Sequence, residues 1–264
     1  MTAPSLLVGR ALETAYIVAG IEHATESEGS VRGALSGADV GVSDFALIST
    51  PEITLLIGTH LIDPVFGVTV AESGAIAMRA PVRPDEIDEA SILLYETSST
   101  AELLARATIW PFYGIRASSW ATVADGASAI TIVDGLAALE PVEAGFSEDL
   151  VRAWYILTEQ SVVTHLLAVP AEASDEEVDA VRSRLTDAAA AGYAARREVR
   201  RALQANSSVE TDRLVEFFAG IRYDLDADDR AAAYSLIARG SGGTRYPLLR
   251  EIPWRPAGEA PPST

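Results

Sequence analysis

The run Ser91-Ile92-Leu93-Leu94-Tyr95 is apolar without alternation. A strand of that kind is buried on both faces, the pattern of a parallel sheet covered by helices. It opens into Glu96-Thr97-Ser98-Ser99-Thr100 and then a helical run that aligns Leu103, Leu104 and Ala107. Ala129 to Val133 repeats the form, followed by Asp134-Gly135 and a short helix through Leu139. Strand, polar turn and helix in succession make an α/β unit, and the rest of the chain is read around it.

Before these units, Ser5 to Val8 predicts a strand, Leu12 to His23 a helix, and Val31 to Leu35 a helical stretch ended by Ser36-Gly37. Short strands are expected at Asp39 to Val42, Ile57 to Ile62, Val65 to Val70 and Ala75 to Met78. Pro81, Pro84 and the acids Asp85, Glu86, Asp88 and Glu89 mark a surface connection. After them, Glu148 to Thr158 has helical spacing, and Val162 to Val169 reads as a strand stopped by Pro170. Ser174 before Asp175, Glu176 and Glu177 caps a long helix with acids on its dipole. Shorter helices follow near Glu210 to Ala219 and Ala227 to Ala238, and Pro256 to Thr264 reads as a disordered tail. The Ala-rich stretch Ala188 to Ala195 suits either a dimer contact or core packing. The expected architecture is therefore two-lobed α/β, with residues 1–79 and 171–264 in lobe one and 80–170 in lobe two. Two crossings make a hinge, and a small ligand would sit in the interlobe cleft.

Composition narrows the chemistry. The 264 residues are 48% hydrophobic and 22% charged, enough apolar material for a core without staples. There is no cysteine, which excludes disulfides, thiolate nucleophiles and iron–sulfur clusters. Lysine is also absent, which excludes Schiff-base and pyridoxal-phosphate chemistry and a Walker A loop. His23, His60 and His165 lie far apart and form no metal-binding spacing, so no histidine-based metal site is expected. A net charge of -18 argues against nucleic acid and anionic membranes as partners. No apolar run approaches bilayer length and no basic leader opens the chain, so a soluble cytoplasmic protein is expected.

Three hydroxyls in a row, Ser98, Ser99 and Thr100, stand between a buried strand and a helix. One would suffice as a cap; all three, with free N–H groups and the helix dipole, suit a carboxylate or another small anion. Their place at the carboxyl end of the strand favours binding. Gly37-Ala38-Asp39-Val40-Gly41-Val42-Ser43-Asp44 would bring Ser43 and Asp44 to the cleft edge if a buried strand ends there, and otherwise reads as a turn. Asp134 has the same form. Glu13, taken alone, is a solvated helix residue. His60 and His165 lie in apolar runs and read as core histidines.

The order of these segments resembles the MqnA/MqnD family, whose members have a type 2 periplasmic-binding-protein fold. Its best-known branch is chorismate dehydratase of the futalosine route to menaquinone. The resemblance rests on Val8-Gly9-Arg10 through Thr14, Gly37 to Gly41, Ala75 to Met78 with Pro81 and Ile87, and Ser98 to Thr100. Ile132 through Leu139 and Ile221-Arg222-Tyr223-Asp224-Leu225 complete it. Two positions depart from the pattern. Glu13 stands where the dehydratase branch has an Asn before its Thr, and Ser98 where the anion loop usually has an Arg.

What the resemblance implies is a lyase acting on chorismate or a relative, without cofactor. Ser98, Ser99 and Thr100 would hold a carboxylate, Glu13 would act as general base, and Thr14, Ser43, Asp44 and Asp134 would complete the contacts. The alternative is a non-catalytic cytoplasmic binding protein for another small carboxylate, in which Glu13 selects a hydroxyl or amine. A Glu13 paired with Arg10 or Arg79 would favour plain recognition.

Overall fold

The computed structural model describes residues 4–24, 29–123, 130–205 and 207–256. Ala129, the first residue of one expected strand, and the tail from 257 onward lie outside the described residues. In chain order the elements are β1 (Leu6–Gly9), α1 (Ala15–His23), β2 (Gly29–Arg32), β3 (Phe45–Ser49), β4 (His60–Val70), β5 (Ile76–Ala80) and β6 (Glu89–Leu94). Next come α2 (Ser99–Tyr113), β7 (Arg116–Ala121), β8 (Ile130–Asp134), α3 (Leu136–Leu139), β9 (Phe146–Asp149), α4 (Leu150–Thr158) and β10 (Val162–Pro170). The chain finishes with α5 (Asp175–Ala194), α6 (Arg196–Gln204), α7 (Thr211–Ala219), β11 (Ile221–Asp224) and α8 (Ala227–Gly240).

Two mixed sheets organise them. The larger has the order β11-β4-β10-β3-β1-β2 and the smaller β7-β6-β8-β5-β9. In the first, β1 runs parallel to β2 and β3, while β10 lies antiparallel between β3 and β4. In the second, β6 is parallel to β7 and β8, and β5 is antiparallel to β8 and β9. A mostly apolar sequence, broken only by Thr164 and His165, suits the interior position of β10, every residue of which is buried. The chain changes sheets between Val70 and Ile76 and returns between Asp149 and Val162. By sheet membership, β5 therefore belongs with residues 80–149 and β10 with the first lobe, which moves the expected boundaries at 79/80 and 170/171.

Several expected segments resolve differently. Asp39 to Val42 is no strand: Ser36 caps a single 3-10 turn at Gly37–Asp39, and Val42 is 71% exposed. The strand lies just beyond, at β3, whose Phe45, Ala46, Leu47 and Ile48 are buried. Gly29–Arg32 forms β2 and no helix covers Val31 to Leu35. The two strands expected across Ile57 to Val70 are one, running through Pro64. There the buried Asp63 carboxylate accepts from the N–H groups of Val65 and Phe66, both at 2.7 Å, and pairs with Arg182 at 2.6 Å. Those bonds satisfy the amides that the local break in β4 pairing leaves free.

The Ala-rich stretch turns inward. Helices α1 and α5 meet at Gly20 and Gly192, where an added Cβ would come within 2.0 Å of Ala188 O and 1.9 Å of Tyr16 O respectively. Only glycine permits that approach. On the other side, α2 packs between α4 and α8, and one apolar cluster runs from Ile48 in the first sheet through Trp154 to Ile92 and Ile132 in the second.

Candidate functional site

A cleft of about 440 Å³ opens where loops of both sheets converge. One wall is the start of α2. Ser98 caps this helix, its hydroxyl accepting from Ala101 N–H at 3.2 Å. By helix geometry the N–H groups of Ser99 and Thr100 have no intrahelical acceptor, and they carry the positive end of the dipole. The Ser98 N–H, in contrast, donates to Asp134 at 2.7 Å. Asp134 thus braces the loop from β8. Glu96 just before it has φ 51, a left-handed backbone that a non-glycine residue adopts only where its surroundings enforce it. The Ser99 hydroxyl meets Ser49 at 3.0 Å, and the Thr100 hydroxyl donates to Thr164 O at 3.1 Å. These contacts join the start of α2 to β3 and β10 of the other sheet.

Glu13 lines the same cleft with Gly9, Arg10, Ala11 and Leu12. It is buried, and its desolvation pushes the carboxyl up to about 7, with the nearby Asp134 charge adding to the effect. Neither candidate cation holds it. Arg10 pairs with Glu22, and Arg79 donates to the carbonyls of Ala137 and Glu140. No salt bridge to Glu13 forms among the described residues.

Of the expected site residues, Glu13, Ser98, Ser99, Thr100 and Asp134 share the cleft, and three do not reach it. Thr14 is fully buried, with its hydroxyl donating to Gly9 O at 2.8 Å and accepting from Ala11 N–H at 3.0 Å. It fixes the turn that aims Glu13. Ser43 and Asp44 precede β3, at the end opposite the cleft, where Asp44 caps its own turn through Gly41 N–H. The expected strand ended at these residues; the actual one begins after them and delivers Ser49 instead.

Sequence reasoning passed over Glu52 and Arg245, and it read His165, which also lines the cleft, as a core histidine. Glu52 is buried and accepts from Ser36 Oγ at 3.1 Å, Gly37 N–H at 3.0 Å and Tyr246 Oη at 2.7 Å, and also from Arg245. It ties two distant loops together and holds the mostly exposed Arg245 guanidinium at the cleft mouth. No local signal marks these residues, because their partners are up to 194 positions away. Among the described residues no cluster of three or more His, Asp or Glu is placed to hold a metal ion. No helix among them is long and apolar enough to cross a membrane.

The same two-sheet architecture occurs in solved structures. Protein AF1704 from Archaeoglobus fulgidus superposes with a TM-score of 0.64 at 12% identity, covering 91% of this chain and 97% of that one. The periplasmic aliphatic sulphonate binding protein SsuA from Escherichia coli gives 0.61 at 14% identity, covering 100% and 96%. The alkanesulfonate-binding protein SsuA from Xanthomonas axonopodis pv. citri, bound to MOPS, gives 0.61 at 14% identity and covers 90% and 92%. These likenesses establish a periplasmic-binding-protein-like fold. No curated protein matches the chain by sequence. A family model for menaquinone biosynthesis matches residues 41–241, a span that takes in α2, Asp134 and His165 and leaves Glu13 and Arg245 outside. Over three quarters of its length, then, the chain belongs to the menaquinone biosynthesis family.

Proposed function

We propose that the protein binds a small carboxylate in its cleft and removes water from it, as a carbon–oxygen lyase of the chorismate dehydratase type. The observation that carries this reading is Glu13: a carboxyl in the cleft, without a salt bridge among the described residues, balanced near neutral pH and sharing the cleft with a helix start suited to an anion. A carboxylate of the substrate is held by the Ser99 and Thr100 N–H groups and the α2 dipole, with Arg10 and Arg245 adding positive charge. Elimination breaks a C–H and a C–O bond. Glu13 takes the carbon-bound proton as carboxylate and returns it to the departing hydroxyl, which leaves as water. In chorismate that loss leaves an aromatic ring, which drives the step.

The likeness to sulphonate-binding proteins supports a second reading, anion binding without chemistry. A proton NMR time course with chorismate separates the two. Formation of an enolpyruvyl benzoate at catalytic protein levels, abolished in Glu13→Gln, is the expected result. Unchanged chorismate with broadened lines means binding alone, and turnover unaltered by Glu13→Gln removes that residue from the chemistry.

A further inference from the structure

Consecutive residues of a strand point to opposite faces. Yet Thr164 and His165, adjacent on β10, both line the cleft. The pairing explains it. Val163 lies opposite Thr69 and His165 opposite Val68, so Thr164 is an extra residue on β10 with no partner of its own on β4. A bulge of this kind re-aims side chains, and here it turns the imidazole to the cleft floor between β3 and β4.

The bulge also gives one of the two ring nitrogens a partner. The Thr164 hydroxyl donates to Val68 O at 3.2 Å and lies 3.1 Å from His165 Nδ1. A hydroxyl has one proton to give. In the tautomer that leaves this proton on Val68, Thr164 Oγ1 accepts from Nδ1–H and Nε2 presents a lone pair. Nε2 has no hydrogen-bond partner among the described residues, and it is not among their sealed, unpartnered polar atoms, which leaves it open to the cleft. The charged groups that share this cleft are Glu13, Glu52, Glu96 and Asp134, with Arg10 and Arg245, and none of them hydrogen-bonds the ring. Burial lowers the imidazole to about 4, so the ring stays neutral at physiological pH.

We propose that His165 Nε2 is the acceptor that selects a ligand carrying a hydroxyl, so that the cleft takes hydroxy-carboxylates in preference to plain or keto-carboxylates. A lone pair at the floor repels a second carboxylate or carbonyl and rewards a donor. The inference rests on the cleft being a small-carboxylate site, and its test keeps the two apart. The first measurement is the nitrogen-15 NMR spectrum of the His165 imidazole in the wild-type protein at neutral pH. The expected pattern is a protonated Nδ1 and an unprotonated Nε2; the reverse tautomer overturns the proposal without any variant having to fold.

The second is a ligand-observed NMR titration with benzoate and 3-hydroxybenzoate. Wild type should bind the hydroxylated probe about five- to tenfold tighter, the value of one hydrogen bond to a buried acceptor. His165→Phe should lose that preference and still bind benzoate. Equal binding of both probes by wild type overturns the role of His165 and leaves the carboxylate site standing. Binding of neither removes the carboxylate site and the proposal with it.

Discussion

Replacing Glu13 by Gln should make the protein's stability less sensitive to pH, by an amount the structure sets. Burial raises this carboxyl from 4.5 to about 7, so the folded state binds the proton more tightly than the unfolded chain. A raised folded-state value means that the group's contribution is fully present below pH 4.5 and is lost as pH climbs through about 7. At roughly 1.36 kcal/mol per pH unit, the interval between the two values comes to about 3 kcal/mol. The glutamine amide keeps the shape and never ionises. The stability difference, variant minus wild type, should therefore grow by about 3 kcal/mol from acid to mildly alkaline pH. Urea unfolding of both proteins at stepped pH measures it, and subtraction cancels the titration of the other carboxyls. Asp134→Asn should leave most of the effect in place, because desolvation is the larger cause. A difference that stays constant across the window would show that Glu13 is solvated, and would refute both the burial argument and its role as a proton carrier near neutral pH.

Two further outcomes test the packing that aims the site. Gly192→Ala places a Cβ 1.9 Å from Tyr16 O and should force α1 from α5, costing about 1–3 kcal/mol and several degrees of Tm, with activity falling because α1 follows directly on Glu13. A thermal melt at or above the wild-type midpoint would mean that the helices do not meet there. Asp63→Ala removes the acceptor of the Val65 and Phe66 N–H groups and leaves the partly exposed Arg182 with Asp179 alone, for an expected loss of about 1–3 kcal/mol on denaturation. A loss below about 1 kcal/mol would show that the break in β4 does not depend on this carboxylate.

How far the sequence reads depends on the reach of each signal. The continuous apolar runs at β6, β8 and β10 appear as strands, because such runs have no stable alternative to burial in a sheet. The Ser98 and Ser174 caps sit where their hydroxyls predict, since a cap bonds within three residues. The segment from Val31 to Asp44 went astray because β2 has only four residues and takes its hydrogen bonds from β1, some twenty positions earlier. The strand at Phe45–Ser49 was legible in its apolar run and was displaced by the Gly-Asp turn before it.

The site divides along the same line. Sequence alone determined the α/β class, the absence of lysine and cysteine side chains, and a run of hydroxyls at the start of α2; it read Glu13 as a solvated helix residue, and burial overturns that. Tertiary structure decided the rest: that Thr14 faces inward, that Ser43 and Asp44 sit at the far end of their strand, and that Ser49, Glu52, Arg245 and His165 enter the cleft. Local signals act through bonds a few residues long, and those the sequence carries openly. Which face a side chain presents depends on register, and a single extra residue at Thr164, visible only once β10 lies against β4, turned an apparent core histidine toward the cleft.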